Sequence, residues 1–195
     1  MVINERQIDI EIKDLDDLLN RFSDSMRSHS RRVAVCSAII ADYATTFINS
    51  CDIPSGTSLP MIAHLGGTCH DIGKLLLTDL ELNGDGYLTH PSIGADLLEK
   101  HRRALLGSEP AAQMIIDIVR YHHSRKSEGI PLTAGICSIA DRLDHLMTNK
   151  HLTGSDDMKV FKTLKEQAAK NYFDIVWVCT EQAWPCLTRR YIRWK

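Results

Sequence analysis

The stretch Thr68-Cys69-His70-Asp71-Ile72-Gly73-Lys74 decides how this chain is read. An adjacent His and Asp near a helix end can present an imidazole and a carboxylate to one point. The carboxylate has two oxygens, so it can bridge two cations while the imidazole binds one of them. Gly73 lets the chain turn closely beside that point. Lys74 follows Asp71 by about one helical turn and can reach a bound phosphate. A His-Asp pair by itself is common, so its weight depends on what else in the chain converges on it.

Helix signals surround the stretch on both sides. Ser58 caps a helix near Pro60 that runs to about Ile72. Upstream, Asp14 to Phe22 carries Leu15, Leu18, Leu19 and Phe22 at helical spacing. Ser28 to Ile48 reads as a long helix in which Ala34, Ala38, Ala41 and Ala44 allow close packing, and Pro54 and Gly56 mark the loop after it. Downstream, Thr78 to Thr89 is rich in Asp, Asn and Gly and predicts a loop. Pro91 then sits in the first turn of a helix reaching about Arg103, and Ser108 and Pro110 open another that ends near His123. Ser124 to Gly129 is a polar connection, after which Pro131 starts a helix through Ile136, Ile139, Leu143 and Leu146. Ser155, Asp156 and Asp157 place a cap and negative charge at the start of the next. A last helix spans about Phe173 to Leu187, with a strand at Ile175-Val176-Trp177-Val178 as the alternative. The expected fold is all-α, a single helical bundle of about seven to eight helices. Residues 1–16 form a lead-in, 17–187 the domain and 188–195 a basic tail.

The 195 residues are enough for one domain with a substantial core. With 44% hydrophobic and 25% charged residues, the chain reads as globular rather than disordered. A net charge of -2 gives no bulk electrostatic argument for nucleic-acid binding. No apolar run approaches the ~18 residues of a membrane span, and the N-terminus does not read as a signal peptide. The six cysteines form no Cys-x-x-Cys pair and read as reduced, mostly buried thiols, which points to a cytoplasmic protein.

Histidine is the unusual residue, with nine in the chain. His29 opens the second helix, His70 and Asp71 close the third, and His90 precedes Pro91. His122 and His123 close a further helix, and Asp141 lies inside the next. Mixed imidazole and carboxylate shells suit Fe, Mn, Zn or similar ions. Two metals bridged by one carboxylate can lower the pKa of a water and clamp both ends of an in-line phosphoryl displacement.

These residues carry a resemblance. His29-Ser30-Arg31-Arg32-Val33-Ala34, His70-Asp71-Ile72-Gly73-Lys74, His90-Pro91-Ser92-Ile93-Gly94-Ala95, His122-His123 and Ile139-Ala140-Asp141-Arg142-Leu143-Asp144 resemble, in order and approximate spacing, the HD phosphohydrolase superfamily. Within it the chain is most similar to the HD-GYP phosphodiesterases, which cleave the bacterial messenger cyclic di-GMP; Leu164, Ala168 and Phe173-Asp174 resemble the end of that domain. The resemblance implies a helical bundle holding two divalent transition ions, drawn from Fe, Mn, Zn, Ni and Co. One ion would take His29, His70, Asp71 and Asp141, the other Asp71, His90, His122 and His123. Lys74 would contact substrate phosphate, with Asp71 and Lys74 as the catalytic pair.

The departures from that pattern are as informative. Where the family carries a loop ending in Gly-Tyr-Pro, this chain reads Ser124-Arg125-Lys126-Ser127-Glu128-Gly129-Ile130-Pro131, as if the signature were deleted. The stretch between Asp71 and His90 is shorter than the family's. A Glu one turn before the first His, which supports a third metal in some members, is Ser25 here. The resemblance therefore implies a metal-dependent phosphohydrolase for a nucleotide or cyclic-nucleotide phosphoester, with weak or absent action on cyclic di-GMP. The alternative is a catalytically weak or inactive nucleotide-sensing or protein-interaction module in bacterial signalling, with a signalling partner or a homodimer. Neither a membrane nor a nucleic-acid partner is expected.

Several residues have plainer readings. Asp144 reads as a structural group bonded to a neighbouring helix end, and Cys69 as a packed thiol rather than a nucleophile. His64, His101, His145 and His151 fall outside the motifs and read as surface or partly buried. Asp79 to Asp85 has the first half of a calcium-loop pattern without its closing Glu, which disfavours calcium. Arg189, Arg190, Arg193 and Lys195, with Tyr191 and Trp194, read as a solvated end or a partner contact.

Overall fold

Capping side chains set several of the helix starts. In the computed structural model, which describes residues 13–48, 53–84, 86–106, 109–124, 129–153, 156–171 and 174–193, Asp14 caps α1 (Leu15–Leu19) by accepting from Asp17 N at 2.8 Å. Ser23 caps α2 (Asp24–Ala44) by accepting from Met26 N at 3.2 Å. The cap starts α2 before Ser28, so His29 lies in the helix's second turn rather than at its opening. Ser58 caps α3 (Leu59–Cys69), with Pro60 in its first turn where no N–H is needed. His70 ends α3, and Asp71 leads into a 3₁₀ turn, Ile72–Leu76.

The expected loop at Thr78–Thr89 is largely helical. Thr78 and Glu81 form a reciprocal capping box that nucleates α4 (Asp79–Leu82). α5 (Gly86–Lys100) then starts before His90-Pro91, so Pro91 lies inside the helix rather than in its first turn. A proline there cannot donate to the carbonyl four residues back. That carbonyl belongs to Tyr87, and it is taken instead by His90 Nδ1 at 2.6 Å. α6 (Arg102–Leu105), α7 (Glu109–Tyr121), α8 (Leu132–Thr153), α9 (Asp157–Asn171) and α10 (Asp174–Arg193) follow.

The described residues contain ten α-helices and no strand, so the fold is all-α. Two short helices, α4 and α6, account for the excess over the expected count. Ile175–Val178 belongs to α10, because Val176, Cys179, Ala183 and Leu187 are all buried at helical spacing. Expectations for residues 1–12, Ser108, Arg125, Lys126, Ser155, Phe173, Trp194 and Lys195 lie outside the described residues, as do those for the side chains of His151, Tyr191 and Arg193.

α2 is the central helix, packed against α3, α8 and α10. α3 and α5 both pack on α7, and α5 also packs on the 3₁₀ turn. The core joins Val33, Cys36 and Ile40 of α2 to Ile62 of α3, Ile118 of α7 and Ile139 of α8, all at 0% exposure. Burying each large aliphatic side chain contributes about 1.5–3 kcal/mol. Two close approaches position the site. A Cβ on Gly67 would lie 2.8 Å from the Ala34 Cα, so α2 and α3 meet backbone to backbone. A Cβ on Gly73 would lie 2.7 Å from the Gly94 nitrogen and collide with the His90 carbonyl. Gly73 thus serves close packing of the turn on α5, which brings Asp71 beside His90. Among the described residues, no helix is long and apolar enough to cross a membrane.

Candidate metal centre

Asp71 sits between two groups of imidazoles. Its Oδ2 is 3.6 Å from His29 Nε2 and 3.4 Å from His70 Nε2. Its Oδ1 is 3.1 Å from His90 Nε2 and 4.0 Å from His122 Nε2. Asp141 closes the first group, with Oδ1 at 3.1 Å from His29 Nε2 and 3.7 Å from His70 Nε2. His29 and His70 are themselves 3.2 Å apart at Nε2, as are His90 and His122 at 3.3 Å. Donor atoms ~2.1 Å from a four-coordinate ion stand about 3.4 Å from one another. The first group matches that spacing throughout its measured edges. His123 lies at the exposed rim and offers a nitrogen within 4.8 Å of those of His90 and His122.

Local structure aims these rings. His70 Nδ1 is 2.8 Å from the Gly67 carbonyl and His122 Nδ1 is 2.8 Å from the Val119 carbonyl, each three residues back. His90 repeats this relation with Tyr87. A carbonyl can only accept, so each Nδ1 carries the proton, and Nε2 faces the centre. His29 reaches the same state through Asp144, whose Oδ2 is 2.8 Å from its Nδ1. The four inward nitrogens therefore share one tautomer set by the backbone and by Asp144.

Asp144 bonds side chains inside α2, those of His29 and Arg32. It is 1% exposed and also accepts from Arg32 Nε at 2.6 Å and Nη2 at 3.0 Å. It ties α8 to α2 at the turn that carries His29. Lys74 Nζ donates to Asp71 Oδ2 at 2.6 Å and lies over the Tyr87 ring at 5.7 Å from its centroid.

The electrostatics favour a cation. Burial opposes the charged forms of Asp71 and Asp141, but the surrounding imidazoles hold both carboxyls well below the usual range. Burial likewise opposes charge on His70, yet Asp71 and Asp141 push it up to about 10. His29 is raised too, with Asp141 and Asp144 outweighing burial. On the other side, burial and the charge of His70 hold His122 well below its usual value. Desolvation of the packed part of the His123 ring, set against the pull of Asp141, takes it down to about 4. His122 and His123 are thus neutral donors with open lone pairs. Asp141 Oδ1 is buried, and no donor is aligned to it. Such an orphaned carboxylate oxygen in a ring of imidazoles fits a metal ion.

Every motif residue named from the sequence is in this cluster: His29, His70, Asp71, Lys74, His90, His122, His123 and Asp141. Two residues were passed over. His145 Nε2 is 3.4 Å from Asp141 Oδ1, one helical turn further along α8. Its i,i+4 spacing from Asp141 was a legible signal. Tyr87, 44% exposed, packs on His90 and His123 with ring centroids 5.5 and 5.4 Å away, and no sequence spacing pointed to it. Cys69 is buried, and burial pushes its thiol up to about 12, which makes it inert. Asp79 to Leu82 being helical removes the loop that a calcium site would need.

The HD domain family model matches residues 26–146, a span that holds the whole cluster. The chain belongs to the HD domain family. A cyclic di-GMP phosphodiesterase of Pseudomonas aeruginosa is 28% identical to it over 139 residues, which cover 63% of this chain and 31% of that protein. This HD domain thus spans about a third of the length of that relative. The family binds divalent metals, and the His and Asp clusters here could hold them. Membership supports the class of metal-dependent phosphohydrolases.

Proposed function

We propose that this HD domain hydrolyses a nucleotide or cyclic-nucleotide phosphoester at two adjacent divalent transition ions. One observation carries the reading: the two oxygens of Asp71 face different imidazole groups, Oδ2 toward His29 and His70, Oδ1 toward His90 and His122. His29, His70, Asp71 and Asp141 would hold one ion, and Asp71, His90, His122 and His123 the other. Fe, Mn, Zn, Ni or Co suits such donors. Bound there, the ions would lower the pKa of a water and draw off the charge that builds on phosphate during in-line displacement.

The chain's own residues orient and bind. The backbone-bonded imidazoles keep their Nε2 atoms aimed at the centre without reorganisation, and the proton that His70 holds there would be displaced by an arriving ion. Lys74, anchored on Asp71, can neutralise a phosphate oxygen that arrives beside it. The half-exposed Tyr87 ring offers a flat wall on which a base can lie. The His122-His123 pair is followed by Ser124 to Gly129, with no Gly-Tyr-Pro. Losing that loop removes a substrate-pocket wall while leaving the phosphate contacts, which weakens selection among esters.

The test is a hydrolysis panel on protein purified without chelators, with Mn or Fe supplied anaerobically. A nitrophenyl phosphodiester should be cleaved more readily than cyclic di-GMP. Cyclic di-GMP turnover far above every generic ester would refute the argument from the missing loop. No turnover on any phosphoester, with metal demonstrably bound, would favour a nucleotide-sensing or protein-interaction module.

A further inference from the structure

Asp141 and His145 occupy successive turns of one face of α8, and His29 of α2 lies against both. His145 Nε2 is 3.4 Å from Asp141 Oδ1, an ordinary separation for two donors on one ion. The His145 ring is 5.1 Å from that of His29, centroid to centroid, and tilted by 38°. One donor atom from each of His29, Asp141 and His145 lies within 4.8 Å of the others. A bland alternative is a His145 that simply donates to Asp141. The carboxylate oxygen between them argues otherwise, because Asp141 is 7% exposed and its Oδ1 has no aligned donor, from His145 or from His29. The His145 ring stands beside this oxygen without bonding it, as a ligand of a shared ion does.

We infer that His145 is a fifth protein ligand of the ion held by His29, His70, Asp71 and Asp141. The inference rests on the metal reading above and makes the two positions unequal. The first would have five protein donors, a number that suits octahedral ions such as Mn or Fe better than tetrahedral Zn. A separate ion at His145 is disfavoured by donor count. His29 has Nδ1 committed to Asp144 and Nε2 committed to the centre. An extra ion would therefore keep only His145 and the second oxygen of Asp141. His145 is half exposed, so the fifth ligand is in contact with solvent.

The test compares wild type, His145→Ala and His145→Asp by Co²⁺ titration, following stoichiometry, affinity and the visible absorption of the bound ion. The exposed position makes both variants compatible with folding, which circular dichroism checks. Expected for His145→Ala are an unchanged stoichiometry and a stronger absorption as coordination number falls. The affinity of one position should drop by at least the roughly tenfold that loss of an outer partner costs. His145→Asp, which restores a donor, should recover much of that affinity. Unchanged affinity and spectrum in His145→Ala, with wild type binding normally, would overturn this inference alone. Loss of one whole equivalent with the remaining bands unchanged would overturn it in favour of a separate ion. Wild type that binds no Co²⁺ would overturn both this inference and the metal reading beneath it.

Discussion

Replacing Asp144 should separate the two jobs its carboxylate performs. In the native chain the group is 1% exposed and accepts three charge-assisted bonds, two from Arg32 at 2.6 and 3.0 Å and one from His29 Nδ1 at 2.8 Å. Breaking a fully buried ion pair costs about 3–5 kcal/mol. The Arg32 side chain is 26% exposed, so water recovers part of that, and Asp144→Ala should lose ~2–3 kcal/mol. The second job is to hold the His29 tautomer. Losing an outer-shell partner of a metal-ligating imidazole typically costs 10–100-fold in affinity, or about 1.4–2.7 kcal/mol. Asp144→Asn keeps the shape and one acceptor oxygen, so it should lose less of both. Urea unfolding of the metal-free protein reads the first effect, and Mn²⁺ titration of folded protein reads the second. A metal-free stability within ~0.5 kcal/mol of wild type, together with unchanged Mn²⁺ affinity, would refute the reasoning.

Three further outcomes follow from the same geometry. Asp71→Ala should remove metal from both positions and abolish turnover together; full metal content by elemental analysis would show that Asp71 is not the bridge. Gly73→Ala should cost about 1–3 kcal/mol and lower metal affinity, because the new Cβ pushes the 3₁₀ turn off α5; an unchanged melting temperature would sink this. The stability of the metal-free protein should peak near neutral pH. The His70 contribution is complete below pH 6.5 and is lost as pH rises through about 10. Those of Asp71 and Asp141, whose pKa values lie below 3.8, are present above that value and lost as pH falls. His123 adds a smaller loss as pH falls from 6.5 toward about 4, reduced by its exposure to water. Urea midpoints that rise or fall monotonically from pH 4 to about 10.5 would contradict this balance.

By itself, the sequence determined the helical class and most helix positions and pointed to the candidate ligand residues, because each is written in local chemistry. Apolar residues at helical spacing, a Ser cap before α3 and adjacent His and Asp at its end are short-range signals. The segment around Pro91 was misread for the same reason. A Pro and a cluster of Asp, Asn and Gly ordinarily mean a loop, and only the Thr78–Glu81 capping box and the His90–Tyr87 bond show how the helices persist through it. The bonding of Asp144 to His29 and Arg32 spans more than a hundred residues, so no local pattern could have assigned it. The tertiary structure also decided which oxygen of Asp71 faces which imidazoles, and that His145 and Tyr87 border the site. Those relations depend on the close approach of α2 to α3 at Gly67 and of the 3₁₀ turn to α5 at Gly73. Distances between helices are set by packing across the core, and packing is a property of the folded chain rather than of any stretch within it.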